Sequence, residues 1–161
     1  MDRLWTPWRF EYIRTADHAP SCVFCQMLQD TRDPANFVLF RGEHAFVLLN
    51  LFPYTSGHLL CVANRHISLL EDATPDELYE IMDLGRICEN ALRREYSPDG
   101  YNLGFNLGRA AGAGVEHHLH MHVLPRWVGD SNFVSVVGET RVLPEELPVS
   151  YKRLLPHFGK P

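Results

Sequence analysis

The sequence of 161 residues lacks several features that would place it in particular protein classes. No apolar run is long enough to span a membrane, and there is no internal repeat or low-complexity segment. Positive charge is not in excess, since 15 Lys and Arg face 20 Asp and Glu for a formal net charge of -5. This balance argues against a protein that binds nucleic acid electrostatically. The rest of the composition, 45% hydrophobic and 22% charged, is ordinary for a globular domain.

The first eight residues lack the charged and then apolar pattern of a secretory signal. We therefore expect a cytoplasmic protein without a membrane or nucleic-acid partner. The length fits one domain over residues 1–161, with an irregular arm at 1–20 and a C-terminal extension at 126–161.

Cysteine is scarce, with four in the chain. Cys61 lies in an apolar run and Cys88 in a helical pattern, so both are predicted to be buried small hydrophobic residues. Cys22 and Cys25 form a C-x-x-C pair. Without a secretory signal, such a pair favours metal binding or redox chemistry over a structural disulfide.

Hydrophobic periodicity predicts one long helix, from Pro75 to about Tyr96. Thr74 and Glu77 form a capping box at its start, and the turn residues 97–100 end it. A second helix is predicted at the C-terminus, from Pro144 to Phe158.

A short helical turn is predicted at residues 22–29. Alternating or continuous apolar runs predict the strands. The strands are expected at 37–41, 45–50, 58–63, 101–107 and 117–124. The fold class is therefore α+β, an antiparallel sheet of about five strands with one long helix and a C-terminal helix.

Three histidines stand at alternate positions, His118, His120 and His122. Side chains alternate between the two faces of a strand, so all three imidazoles point the same way if this segment is a strand. They can serve as nucleophile, proton carrier and metal ligand. A solvent-facing strand that is rich in histidine is the alternative. One catalytic metal bound to all three is disfavoured, because they span about 13 Å at ~3.3 Å per residue.

A loop of small residues, 106–116, leads directly into these histidines. Gly112 and Gly114 allow backbone N–H groups to close on a phosphate. Asn106 and Arg109 offer further side-chain contacts to it. The alternative for Arg109 is an exposed charge in solvent.

Asn50 ends an apolar strand, where its amide can bond the paired hydroxyls of a ribose. Phe52 and Tyr54 follow it and could wall a flat base. The alternative is that Asn50 caps a turn before Pro53.

Cys22, Cys25, His66 and one of the alternating histidines match a closed Cys₂His₂ zinc site. His118 stands at the entry of its strand and could reach back to the cysteines. Two reduced thiols without a metal are the alternative reading.

With these residues assembled, the chain resembles the histidine triad family. Its motif, three histidines alternating with apolar residues, is matched throughout residues 118–124. The likeness extends over nearly the whole chain, to the bacterial branch similar to diadenosine tetraphosphate phosphorylases and fragile-histidine-triad hydrolases. Further matching segments are residues 4–9, 50–54, 57–58, 65–66, 106–108, 125–127 and 129–133.

The resemblance implies a homodimer that binds nucleotides and cleaves them at the α-phosphate. It makes His120 the nucleophile of a nucleotidyl–imidazole intermediate. His122 would hydrogen-bond the α-phosphate or assist the leaving group. Asn106 and the backbone of 112–114 would stabilise charge on the phosphate oxygens, and Asn50 would hold the ribose.

Some family members also bind zinc with two cysteines, a mid-chain histidine and the first motif histidine, which correspond here to Cys22, Cys25, His66 and His118. One departure is Gly114, where many members carry Gln or Ser. It leaves open whether phosphate or water is the acceptor in the second step. A nucleoside phosphoramidase and a non-catalytic nucleotide-binding module are the alternative functions.

Overall fold

The computed structural model describes residues 22–131, 137 and 145–159, which fold around a five-stranded antiparallel sheet. The strand order is β1-β2-β3-β5-β4. This confirms the predicted α+β class, whereas the arm predicted at 1–20 lies outside the described residues. The strands are β1 Val38–Arg41, β2 Ala45–Leu49, β3 Leu59–Ala63, β4 Gly100–Phe105 and β5 His120–Arg126.

Two helices precede the sheet, α1 Val23–Gln29 and α2 Asp33–Asn36. The first confirms the predicted helical turn, and the second was not predicted. The long helix α3 spans Pro75–Tyr96, as the sequence predicts. None of the described helices has the length and apolar character needed to cross a membrane.

The capping box of α3 is formed in both directions. Glu77 donates its N–H to the Thr74 hydroxyl at 3.3 Å and accepts the Thr74 N–H at 2.7 Å. Arg65 donates to both carboxylate oxygens of Glu77, at 2.6 and 2.7 Å. This pairing lowers the pKa of the nearly buried Glu77 to about 2. The start of α3 is thereby joined to the segment after β3.

One face of the sheet packs against α3 and forms the larger apolar core. Gly85 of α3 allows this close approach, because a Cβ there would lie 2.5 Å from Met121 Cε. Cys61 and Cys88 are both fully buried in this core, with their sulfurs 3.7 Å apart, as small hydrophobic residues are expected to be. The strands contribute Leu39, Ala45, Val47, Leu49, Leu59, Cys61, Ala63, Met121 and Val123, and Leu119 joins them from just before β5.

The opposite face of the sheet packs against α1 and carries the histidines. Phe24 and Met27 of α1 bury themselves there against Val38, Phe46, Leu48, Leu60 and Val62. In the antiparallel register Val62 pairs with His120, and Leu60 pairs with His122. Since directly opposed residues share a face, both imidazoles lie on the α1 side of the sheet.

Most predicted strand boundaries lie within two residues of the observed ones, and the larger differences are at β5 and the C-terminal helix. Strand β5 begins at His120 rather than at residue 117, although Leu119 still accepts the Ala63 N–H at 3.1 Å. The regular C-terminal helix, α4, covers only Leu147–Leu154 and is followed by a 3₁₀ turn, Leu155–His157. Pro156 has no N–H to continue the α-helical ladder, which explains the early end of α4.

Candidate active site and metal centre

His120 is held in one tautomer by the main chain. Its ring is 5% exposed, and Nδ1 lies 2.7 Å from the carbonyl oxygen of His118. Because a carbonyl only accepts, Nδ1 must carry the proton, so Nε2 of the neutral ring keeps its lone pair. Burial lowers the pKa of His120 below its ordinary value, which favours that neutral form. The residue is thus a nucleophile or a ligand rather than a cation.

A chain of hydrogen bonds orients His122, and it runs from the Tyr54 backbone through a fully buried histidine, His58. The Tyr54 N–H donates to His58 Nδ1 at 3.1 Å, and His58 Nε2 lies 2.9 Å from His122 Nδ1. With Nδ1 accepting, His58 carries its proton on Nε2 and donates it to His122. His122 therefore bears its own proton on Nε2, where it can be donated.

His58 is the functional residue that the sequence analysis missed. It was named there only as the first residue of a predicted strand and as part of segment 57–58, which matches the family. A histidine directly after a glycine and before an all-apolar strand is the sequence signal that could have identified it. Its partner lies 64 residues away, which no local pattern reveals.

A pocket opens beside the two histidines and is mostly apolar. Asn50, Gly114, His120 and His122 contribute its polar groups. The structure therefore brings together four of the sequence-predicted site residues. The rest of the lining is Val23, Phe24, Met27, Leu48, Leu51, Phe52, Tyr54, Leu60 and Val115.

Asn50 makes the turn-capping contact that the sequence analysis gave as its alternative role, and it also makes a contact that was not predicted. Its amide oxygen accepts the Phe52 N–H at 3.0 Å, which is the turn-capping contact. Its amide nitrogen lies 3.2 Å from His58 Nδ1, so it also supports the histidine chain. The ring of Tyr54 stacks on His122, with centroids 5.9 Å apart and planes at 18°.

The glycine-rich loop needs glycine for its shape. Gly108 has φ of +80° and ψ of 165°, a region that side chains exclude. Gly112 has φ of +86°, and its N–H donates to the Arg109 carbonyl at 3.0 Å. Gly114 reaches the pocket lining, and the side-chain amide of Asn106 lies 3.4 Å from His122 Nε2, whose N–H can donate to the amide oxygen once the amide is turned. Of the predicted phosphate contacts, Gly114 and Asn106 are thus the nearest to the histidines.

Arg109 lies farther out, with its side chain 69% exposed. Its guanidinium pairs with Glu116 at 3.3 Å, and the same carboxylate contacts His117 at 3.0 Å. Neither Arg109 nor Gly112 lines the pocket described above.

Cys22, Cys25, His66 and His118 form one compact cluster. Their four ligand atoms all lie within 4.8 Å of one another. Nδ1 of His118 is 3.3 Å from Cys22 Sγ and 3.6 Å from Cys25 Sγ, and His66 Nδ1 is 3.3 Å from Cys25 Sγ. The S–N edge of a tetrahedral zinc site is about 3.5 Å, given Zn–S of about 2.3 Å and Zn–N of about 2.0–2.1 Å. The cluster therefore fits a zinc ion in both chemistry and size.

The protonation of the cluster also suits a cation. His118 Nε2 donates to the Ala63 carbonyl at 2.7 Å, so Nδ1 keeps the lone pair that a metal needs. Burial alone would raise the pKa of the Cys22 thiol, but its hydrogen bond with His118 and those from backbone N–H groups lower it to about 6. Thiolates are the form that binds metal.

His118 connects the metal-ligand cluster to the pocket without lining the pocket. Its imidazole lies in the cluster, while its carbonyl oxygen accepts the Nδ1–H of His120. The first of the three alternating histidines is therefore separated from the pocket, as its position at the strand entry suggests. Only His120 and His122 line the pocket.

Comparison with known proteins decides the family. The family model of the HIT domain matches residues 31–128, which include the glycine-rich loop and the three histidines. The chain belongs to the histidine triad family.

Several histidine triad relatives match over most of this chain. An AP-4-A phosphorylase from Mycobacterium tuberculosis is 37% identical over 155 residues, which cover 91% of this chain and 79% of that protein. An uncharacterized HIT-like protein from Methanocaldococcus jannaschii is 33% identical, covering 74% of this chain and 89% of its own length.

A solved histidine triad structure supports the fold as well. A Zn-bound family protein from Mycobacterium smegmatis superimposes with a TM-score of 0.69 at 28% identity, covering 85% of this chain and 92% of that one. The five-stranded sheet and its flanking helices are thus the histidine triad architecture.

Proposed function

We propose that this chain cleaves dinucleoside polyphosphates, such as diadenosine tetraphosphate, at the α-phosphate by phosphorolysis or hydrolysis. The hydrogen bond from His120 Nδ1 to the His118 carbonyl carries the proposal, because it leaves the Nε2 lone pair as a nucleophile beside the pocket. The likeness to the mycobacterial phosphorylase supports the substrate class.

The first step transfers a nucleotidyl group to the protein. Nε2 of His120 attacks the α-phosphorus, a P–N bond forms, and the P–O bond to the departing nucleoside polyphosphate breaks. The Nε2–H of His122 donates to a phosphate oxygen or to the leaving oxygen. Asn106 and the Gly114 backbone stand nearby to stabilise the negative charge.

The second step releases the nucleotide and restores His120. An oxygen of inorganic phosphate or of water attacks the phosphorus, and the P–N bond breaks. From diadenosine tetraphosphate, phosphate gives ADP after ATP has left, whereas water gives AMP. Gly114 offers only its backbone to the phosphate, and the experiment below distinguishes the two acceptors.

The nucleoside is proposed to enter the apolar pocket. Phe52 and Tyr54 would lie against the base, and the second lone pair of the Asn50 amide oxygen would meet a ribose hydroxyl. Arg109 and Gly112, near the outer part of the loop, are proposed to contact the more distant phosphates. An incoming phosphate would compete with Glu116 for the Arg109 guanidinium.

The four-residue cluster is proposed to hold structural zinc through Cys22, Cys25, His66 and His118. When bound, the ion supplies a cross-link between α1, the segment after β3 and the entry of β5, and it takes no part in phosphoryl transfer. His118 in turn fixes His120 through its carbonyl oxygen.

The deciding experiment incubates the protein with diadenosine tetraphosphate, with and without inorganic phosphate, and separates the nucleotides. ADP and ATP formed only with phosphate would establish phosphorolysis, and AMP and ATP formed without it would establish hydrolysis. His120→Ala should abolish either reaction and leave the circular dichroism spectrum unchanged. Undiminished turnover in that variant, or no cleavage by the wild-type protein, would contradict the proposal.

A homodimer is also proposed, since family resemblance implies one. In the described sheet β4 is an edge strand, and Leu103 on it is 42% exposed, while Met82 and Tyr79 of α3 are 55% and 75% exposed. Light scattering of purified protein tests this, and a monomer at micromolar concentration would contradict it. The cytoplasmic location and the lack of nucleic-acid and membrane partners stay predictions of the sequence.

A further inference from the structure

Helix α1 contributes to both sites at once. Cys22 precedes its first residue and Cys25 lies in its first turn, and both sulfurs belong to the metal-ligand cluster. Its other side chains, Val23, Phe24 and Met27, line the pocket beside His120. The Phe24 ring lies 5.2 Å from the His120 ring, centroid to centroid. Any shift of α1 would therefore change the pocket wall and the cysteine positions together.

Helix α1 is too short to be stable without contacts to the rest of the protein. It has seven residues, and no side chain caps its N-terminus among the residues described. Isolated helices of this length are not stable in water, because the cost of nucleation exceeds the gain from the few hydrogen bonds formed. Contacts with other parts of the protein must therefore fix the position of α1.

Arg41, the last residue of β1, fastens the C-terminal end. Its guanidinium donates to the carbonyl oxygens of Met27 and Leu28, both at 2.9 Å, and of Asp30 at 2.7 Å. The last four carbonyls of a helix have no partner within it. One side chain thus satisfies two carbonyls in the last turn of α1 and a third just beyond it.

Asp33 completes this arrangement by neutralising the cation. Its Oδ1 accepts from Arg41 Nε at 2.9 Å and from Nη2 at 2.7 Å. The side chains of Arg41 and Asp33 are 29% and 39% exposed, so solvent screens this ion pair in part. A planar guanidinium offers five N–H donors in a fixed fork, which a lysine ammonium cannot reproduce.

We propose that Arg41 is a positioning residue for both the nucleotide pocket and the metal cluster. It touches neither of them, and acts by fixing α1 on the sheet between β1 and the cluster. The part that concerns nucleotide rests on the proposed function, whereas the part that concerns metal does not.

The test compares Arg41→Met and Arg41→Lys with Arg86→Met as a matched control. Arg86 lies on α3, its side chain is 68% exposed, and it forms an ion pair at 2.8 Å with Asp83 on the same helix. Two affinities are measured at 10 °C, below the melting range: AMP by calorimetry, and Zn²⁺ by competition with a chromogenic chelator. The steady-state kinetics of diadenosine tetraphosphate cleavage are recorded beside them.

Arg41→Met should weaken Zn²⁺ binding about 10- to 100-fold, the range seen when an outer support of a metal site is lost. AMP binding should weaken about tenfold as the pocket loses its preorganised wall, with KM raised more than kcat is lowered. Arg41→Lys should fall between Arg41→Met and wild type, and Arg86→Met should match wild type. If Arg41→Met does not fold, Asp33→Asn, which keeps the carbonyl bonds, should show the same changes to a smaller degree.

A lowered melting temperature with both affinities unchanged would overturn the proposal, because it would give Arg41 a merely structural role. Failure of the wild-type protein to bind AMP would overturn the proposed function instead. The Zn²⁺ measurement would then still support or overturn the role of Arg41.

Discussion

Replacing His58 by Phe tests the tautomer assigned to His122. The variant fills most of the same volume but removes the donor that lies 2.9 Å from His122 Nδ1. It also removes the acceptor that Tyr54 N–H and the Asn50 amide use at 3.1 and 3.2 Å. A buried polar group that loses its partner costs about 1–3 kcal/mol. We therefore expect a folded protein with a measurably lower melting temperature.

The same loss sets the expected effect on rate. If the whole of about 1–3 kcal/mol falls on the transition state, kcat decreases about 5- to 150-fold. His58→Gln, whose amide can still donate and accept, should recover part of this, and His44→Gln, at a partly exposed histidine on the loop between β1 and β2, should change nothing. Nitrogen NMR shifts should show His122 losing its preference for a proton on Nε2. A folded His58→Phe protein with kcat within twofold of wild type would refute the reasoning.

Three further outcomes are expected. Because burial lowers the pKa of His120 and a protonated ring has no lone pair, the acidic limb of kcat/KM should lie below the ordinary histidine pKa of 6.5, and a limb at higher pH would contradict this. Purified protein should contain about one zinc per chain by mass spectrometry, kept in His120→Ala and lost in Cys22→Ser, whereas less than about a tenth of an equivalent would oppose a zinc site. Thr74→Ala should lower the free energy of unfolding in urea by about 1 kcal/mol without changing kcat, and a loss of activity would show that α3 does more than support the sheet.

The elements that the sequence predicts well are those whose boundaries are encoded locally. Thr74, Pro75 and Glu77 specify the start of α3 through backbone and side-chain bonds within one turn. The alternation of His118, His120 and His122 likewise reports strand geometry directly. The C-terminal helix was predicted too long, because its apolar pattern continues through the 3₁₀ turn that Pro156 imposes.

The residues that make up the sites were predictable, but the hydrogen bonds that orient them were not. Cys22, Cys25, His66 and His118 could be listed as ligands because their chemistry restricts the choice. The roles of His58 and Arg41 depend on bonds to groups brought close only by the sheet and by the docking of α1. A sequence pattern does not show which imidazole nitrogen carries a proton, or which carbonyl oxygen accepts a hydrogen bond from an arginine side chain.

The four cysteines differ in accessibility, so the number that react with a thiol reagent reports whether the protein is folded and whether it holds a metal. Cys61 and Cys88 are inaccessible in the core, whereas Cys22 and Cys25 are partly exposed and would be masked by a bound metal. A thiol-reactive dye should therefore label no cysteine in metal-loaded protein, two in folded metal-free protein and four in unfolded protein. A single titration would then distinguish loss of the ion from loss of the fold in any variant.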